Sequence, residues 1–159
     1  MILVTLGTQD KPFTRLLDAV QKQIDKGNIK DEVYVQAGCT KYESKDMHIF
    51  DLIPIDEFDK MIDKADLIIT HGGVGNITGA LKKNKKIIVA PRLSKYKEHI
   101  NDHQKQITNN FSKEGFILAL NDDLSNFEEV LKKIKKFKPQ EFKSNTNNMI
   151  RLIEELIDK

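Results

Sequence analysis

Residues 65–81 constrain this chain more than any other stretch. An apolar run, Leu67-Ile68-Ile69, leads through Thr70 into His71-Gly72-Gly73-Val74-Gly75 and on into helix-like spacing from Asn76 to Leu81. The order is strand, glycine-rich turn, helix start. The first N–H groups of a helix have no intrahelical partner, and the helix dipole places partial positive charge there. Glycines allow a ligand to approach that end closely, so the arrangement suits a phosphate or diphosphate. The plainer reading is a tight turn in which His71 is only a hydrogen-bonded turn residue.

The flanking sequence reads in the same alternating terms. Residues 2–6 are an apolar strand ending at Gly7-Thr8, and a helix follows with Asp10 near its start and Pro12 in its first turn. Phe13, Leu16, Leu17, Val20 and Ile24 are its inward residues, and Gly27-Asn28 closes it. Strands are expected at 32–37, 48–53, 66–70, 86–90 and 116–120. Helices are expected at 56–64, from the glycine turn to Lys83, at 100–111 with Ile100, His103, Ile107 and Phe111 on one face, and at 124–137 and 145–157. The fold expected over residues 1–159 is α/β: one Rossmann-like domain of about six mostly parallel strands with helices on both faces. Ligands of such folds sit at the carboxyl ends of the strands, near a switch in strand order. The turns at Gly7-Thr8, His71–Gly75 and Pro91 onward all follow strands, so they should share one rim.

Composition narrows the chemistry. A length of 159 residues is enough for one domain with its own core. A net charge of +2 argues against a nucleic-acid binder that relies on bulk charge. A single cysteine, Cys39, excludes an internal disulfide framework or a cysteine-based zinc site and suits the reducing cytoplasm. The opening residues are too short for a signal-peptide core, and no apolar run approaches the roughly 20 residues of a membrane span. The Lys82-Lys83-Lys85-Lys86 and Lys132-Lys133-Lys135-Lys136 groups read as solvated helix faces, with weak attraction to an anionic membrane as the minor reading.

Several functions fail on motif. Gly73-Val74-Gly75 through Gly79 has one residue too many for a dinucleotide fingerprint and follows the fourth strand, not the first. No Walker A sequence is present, and Gly7-Thr8-Gln9 offers no acidic cluster for a phosphoacceptor domain. A second polar cluster runs from Pro91 and Arg92 to Asp102, His103 and Gln104. Its groups could meet sugar hydroxyls, or form a solvated loop in which Asn101 and Asp102 cap the next helix. His103 falls on the apolar face and reads as a core histidine. Without an Asp-Xaa-Asp motif or metal constellation, leaving-group charge would be neutralised by loop N–H groups and a helix end.

The order Val4-Thr5-Leu6-Gly7-Thr8, then Ala65-Asp66 to Gly75, then Asn101-Asp102-His103-Gln104 resembles the donor half of GT-B glycosyltransferases of family 28. It is similar above all to small subunits of split transferases, among them the dolichol-linked GlcNAc transferase subunit and bacterial capsule or exopolysaccharide subunits. The resemblance implies a UDP-sugar donor, an inverting hexosyl transfer to a lipid-linked acceptor, and no metal or other cofactor. Carried over by motif, His71, Gly72, Gly73, Val74 and Gly75 face the diphosphate, and Asp102 and Gln104 face the sugar. Gly7 and Thr8 line the cleft toward the acceptor half. Asn76 and Arg92 complete the expected donor-binding set. Relatives often carry a ribose-binding Glu where this chain has Gly79. His71 is the one candidate for a catalytic role, and no residue here can be assigned as general base. The missing half implies a membrane-anchored, acceptor-binding partner that recruits a cytoplasmic protein to the inner face of the membrane. Without that partner an apolar acceptor-facing surface would allow self-association. The competing expectation is a non-catalytic stabilising or regulatory subunit, favoured by Gly79.

Overall fold

The computed structural model describes residues 1–143; the helix expected at 145–157 lies outside the described residues. Twelve elements are ordered β1 (Ile2–Thr5), α1 (Thr14–Asp25), β2 (Val33–Gln36), β3 (Met47–Phe50), α2 (Ile55–Lys64), β4 (Leu67–His71), α3 (Val74–Lys82), β5 (Ile87–Ala90), a 3₁₀ turn (Ser94–Tyr96), α4 (His103–Lys113), β6 (Leu118–Ala119) and α5 (Phe127–Ile134). All six strands pair in parallel in the order β3-β2-β1-β4-β5-β6, as expected of a Rossmann-like sheet. Strand order reverses between β1 and β4, where Val4 lies opposite Ile69 and Thr5 opposite Thr70.

Apolar side chains on both faces of each central strand explain why helices cover both sides. Ile2, Val4, Leu67, Ile69, Ile88 and Ala90 point to the core beneath α1 and α5. Their neighbours Leu3, Ile68, Ile87 and Val89 point to the core beneath α2, α3 and α4. This two-residue alternation fixes the register, because a slip of one residue would exchange the two faces.

Local chemistry moves several element boundaries. Helix α1 begins at Thr14, so Asp10 and Pro12 precede it, and the Phe13 N–H is held by Thr40 Oγ1 at 3.0 Å. Helix α4 begins at His103, which leaves Ile100 outside it and 79 % exposed. The inward face of α4 is Gln104, Ile107, Thr108 and Phe111, whereas His103 is half-buried. Gln104 thus takes the core position that the apolar pattern assigned to His103. The first lysine group is not wholly solvated. Lys83 and Lys85 close the C-terminal end of α2 through Asp63 and the carbonyls of Asp59, Asp63 and Ala65. Lys86 donates to the carbonyls of Ile134 and Lys135 at the end of α5. Each supplies positive charge where a helix dipole is negative.

Candidate functional site

The β1–α1 and β4–α3 turns leave adjacent strands and diverge to opposite faces of the sheet, opening a cleft of about 330 Å³ between them. Its floor is Gly7, His71, Gly73, Gly75 and Asn76, with Thr8 and Gln9 at one lip. No side chain caps the N-terminus of α3, and Gly73, Gly75 and Asn76 of that first turn border the cleft. An uncapped helix start facing a concave surface is an anion-binding geometry.

The glycines divide by purpose. The His71 ring lies between Gly7 and Gly73, and a Cβ at either position would overlap it. Gly7 also has a φ of +80°, a conformation that favours glycine. A Cβ on Gly72 would come within 2.7 Å of the Gln104 carbonyl and Thr108 Oγ1. Gly7, Gly72 and Gly73 therefore admit protein, letting the imidazole and α4 pack against the backbone. Gly75 alone faces open space in the turn.

His71 is 7 % exposed, and both ring nitrogens are engaged: Nδ1 with Gln104 Nε2 at 3.1 Å and Nε2 with Asn76 Nδ2 at 2.9 Å. Burial, reinforced by the nearby Arg92 charge, lowers its pKa to about 4, so the ring is neutral at physiological pH. Asn76 reaches on to Thr5 Oγ1 at 3.2 Å, and Thr5 donates to Gln36 Oε1 at 2.7 Å. Gln36 is locked to the main chain by Gly7 N–H and by the carbonyls of Gly7 and Asp51.

The β5–α4 loop holds the other predicted residues, and they turn inward. Arg92 is 1 % exposed; its guanidinium donates to the carbonyls of Leu6, Lys11 and Glu98 and lies 5.1 Å from the Phe13 ring centroid. Burial lowers its pKa to about 10, still charged at neutral pH, and Nε has no partner. Glu98, also buried, accepts a two-point contact from Arg15 at 3.0 Å and the Leu93 N–H. Gln104 Oε1 accepts from the backbone N–H groups of Gly72 and Arg92, each at 3.0 Å. Asp102 does not cap α4: its carboxylate takes the Ser94 N–H and hydroxyl, while Asn101 Oδ1 accepts from the His103 N–H.

Six residues of the predicted set, Gly7, Thr8, His71, Gly73, Gly75 and Asn76, thus come together at the cleft. Gly72, Val74, Arg92, Asp102 and Gln104 are not among its lining residues; Val74 packs against the core beneath α3. The sequence reading missed the far wall, formed by Gln36, Leu52, Ile53, Ile55 and Phe58. A glutamine ending an otherwise apolar strand, and apolar residues flanking Pro54 in a connecting loop, are the signals that mark it. A larger depression, about 450 Å³, lies at the opposite ends of the strands, and several of its polar groups are already engaged. Asp66 holds the N-terminal amine, Glu128 holds Asn28, and Lys86 caps α5.

Residues 1–158 match the model of the glycosyltransferase family 28 C-terminal domain. The chain is 30 % identical over 127 residues to the UDP-N-acetylglucosamine transferase subunit ALG13 of Candida glabrata, covering 78 % of this chain and 61 % of that protein. It therefore spans less than two thirds of that relative's length. An ALG13 solution structure superposes with a TM-score of 0.59 at 19 % identity, covering 99 % of this chain and 95 % of that one. The MurG crystal structure from Acinetobacter baumannii gives 0.55 at 16 % identity over 84 % of this chain and 40 % of that one. The glycosyltransferase of kitacinnamycin gives 0.62 at 16 % identity, covering 98 % of this chain but 37 % of that one. The structural matches attest the fold and the family match attests the lineage: this chain belongs to the glycosyltransferase family 28 C-terminal domain family.

Proposed function

We propose that this chain is the donor-binding catalytic subunit of a two-subunit inverting glycosyltransferase, with the diphosphate of a UDP-sugar held at the N-terminus of α3. The observation that carries this reading is the uncapped first turn of α3, opening into the cleft at the β1/β4 switch point. Backbone N–H groups and the helix end would neutralise the departing UDP without a metal ion. The exposed Asp102 carboxylate, near the head of α4, stays the proposed contact to the donor sugar, and Arg92 and Gln104 act from beneath by holding the turns in place.

Glycosyl transfer also needs a group to take the acceptor proton. The cleft lining has no carboxylate, and both His71 nitrogens are occupied, so we assign that base to a partner. The partner proposed is a membrane-anchored subunit that binds a lipid-linked saccharide acceptor and recruits this chain to the cytoplasmic face of the membrane, in capsule or exopolysaccharide synthesis. The same lack of a base supports a second reading, a non-catalytic stabilising or regulatory subunit. Among the described residues no helix is long and apolar enough to cross a membrane.

Calorimetric titration of the isolated chain and of the co-expressed complex with UDP, UDP-glucose, UDP-galactose and UDP-GlcNAc tests the proposal. Binding that weakens by about tenfold in His71→Ala, with turnover in the complex, is the expected result. No binding to either form, with the partner alone fully active, would select the regulatory reading.

A further inference from the structure

The hydrogen bonds beneath the cleft form one chain whose two ends are fixed by backbone. At one end, Gln104 Oε1 accepts two main-chain N–H groups, so its Nε2 must be the atom that donates to His71 Nδ1. At the other end, Gln36 takes the Gly7 N–H on Oε1 and gives its own N–H groups to the carbonyls of Gly7 and Asp51. Gln36 Oε1 therefore takes the one hydroxyl hydrogen of Thr5, at 2.7 Å, and Thr5 Oγ1 meets Asn76 with lone pairs only, at 3.2 Å.

His71 lies between these ends. With Nδ1 accepting, a neutral ring carries its proton on Nε2 and must donate there. The atom placed 2.9 Å away is Asn76 Nδ2, and a half-turn of the side-chain amide exchanges it for the oxygen with no other movement. An NH₂ group in that place would set two donors against each other. An oxygen there accepts from His71 at 2.9 Å and gives up only the longer, 3.2 Å contact with Thr5 Oγ1. The other amide atom of Asn76 has no protein partner among the described residues and is not buried.

We infer that the Asn76 amide oxygen sits on His71 Nε2–H, so that its NH₂ group faces the cleft as a dedicated donor, and that His71 is a positioning residue whose tautomer holds it there. The inference rests on the proposed nucleotide site only for its ligand; the proton arrangement belongs to the free protein. It assigns the cleft floor a fixed polarity, because Asn76 then offers hydrogens and no lone pair. A phosphate oxygen fits that surface and a hydroxyl hydrogen does not. Burial and the Arg92 charge, which keep His71 neutral, act in the same direction.

Nitrogen-15 NMR of the histidine rings in the full chain, with His71 assigned by its loss in His71→Gln, reads the tautomer directly. The expected signature is a protonated Nε2 and a bare Nδ1 that do not change between pH 8 and pH 5. A proton on Nδ1, or titration of the ring in that range, would overturn the inference. UDP titrations complete the test. Asn76→Asp can accept from His71 but offers the cleft no hydrogen, and should weaken UDP by about tenfold or more with the tautomer retained. His71→Gln, whose terminal NH₂ reaches the place of Nε2–H, should stay within about threefold of the parent chain, whereas His71→Ala loses about tenfold. Parent-like binding by Asn76→Asp, or a His71→Gln as weak as His71→Ala, would count against the assignment. If the parent chain and the complex bind no UDP while the tautomer is as expected, the nucleotide reading fails and the proton arrangement stands.

Discussion

The β4–α3 turn and the β5–α4 loop are neighbours on one rim, and both are rich in polar residues. They differ in where their hydrogen bonds end. In the β5–α4 loop, Arg92, Glu98, Asp102 and Gln104 find protein partners, and the result is a brace between α1, the β1–α1 turn and α4. In the β4–α3 turn, the side chains are also bonded to one another, but the first N–H groups of α3 have no side-chain cap and border an open cleft. Polarity of residues alone does not separate a binding loop from a brace. Where the uncapped donors open does. None of the described α-helices has a cap from its N-cap side chain, and it is the first turn of α3 that borders the cleft at the β1/β4 switch point.

The largest effect should come from the brace. Arg92→Ala removes three hydrogen bonds, to the buried carbonyls of Leu6 and Glu98 and the half-buried carbonyl of Lys11, and leaves a void against Phe13. A loss of about 3–5 kcal/mol is expected in urea unfolding, with the β1–α1 turn released. A loss below about 1 kcal/mol, with UDP binding abolished, would mean that Arg92 serves the ligand and would break the comparison.

Next in size is the pH dependence centred on His71. The unfolded chain takes up a proton near 6.5, whereas the folded ring resists it down to about 4. Between those values the unfolded state binds more protons, so stability falls as the pH falls. From pH 7 to pH 4 the parent chain should lose about 3 kcal/mol more than His71→Gln, since carboxylates such as Asp66 and Asp102 contribute equally to both. Matching losses in the two chains would show that the ring is solvated, and the β4–α3 turn looser than its contacts imply.

The fold was legible because it depends on patterns that sequence carries directly. Apolar runs such as Ile87–Ala90 and the glycine punctuation at Gly27 and Gly115 place strands and helix ends without knowledge of tertiary contacts. Of the cleft lining, the sequence pointed to the two turns that directly follow strands, Gly7-Thr8 and the stretch from His71 to Asn76, where the signal is local. The inward bonds of Arg92 were not legible because its partners, Leu6 and Lys11, come from a turn more than eighty residues away. His103 and Gln104 were exchanged for a similar reason. Period counting favours the histidine, but the deciding bonds are those of Gln104 to Gly72 and Arg92, across two loops. The far wall of the cleft, with Leu52 at 61 % and Ile55 at 81 % exposure, breaks the rule that apolar residues turn inward, so pattern reading assigns it no role.

The glycines allow the smallest and most discriminating test, because they contrast packing with access inside one helix start. Gly73→Ala forces the new methyl into the His71 ring and should destabilise by about 1–3 kcal/mol while displacing Asn76 and weakening UDP. Gly75 and Gly79 both face open space within α3, so alanine at either should stabilise by about 0.5–1 kcal/mol through helix propensity. Only Gly75 borders the cleft beside His71 and Asn76. Gly75→Ala should therefore bind UDP more weakly in calorimetry despite its gain in stability, and Gly79→Ala should bind as the parent does. Opposite signs for stability and affinity at Gly75 would mean that this glycine is kept for a ligand and not for the fold. Equal affinities for the two variants would move the anion away from the first turn of α3, leaving both loops as braces.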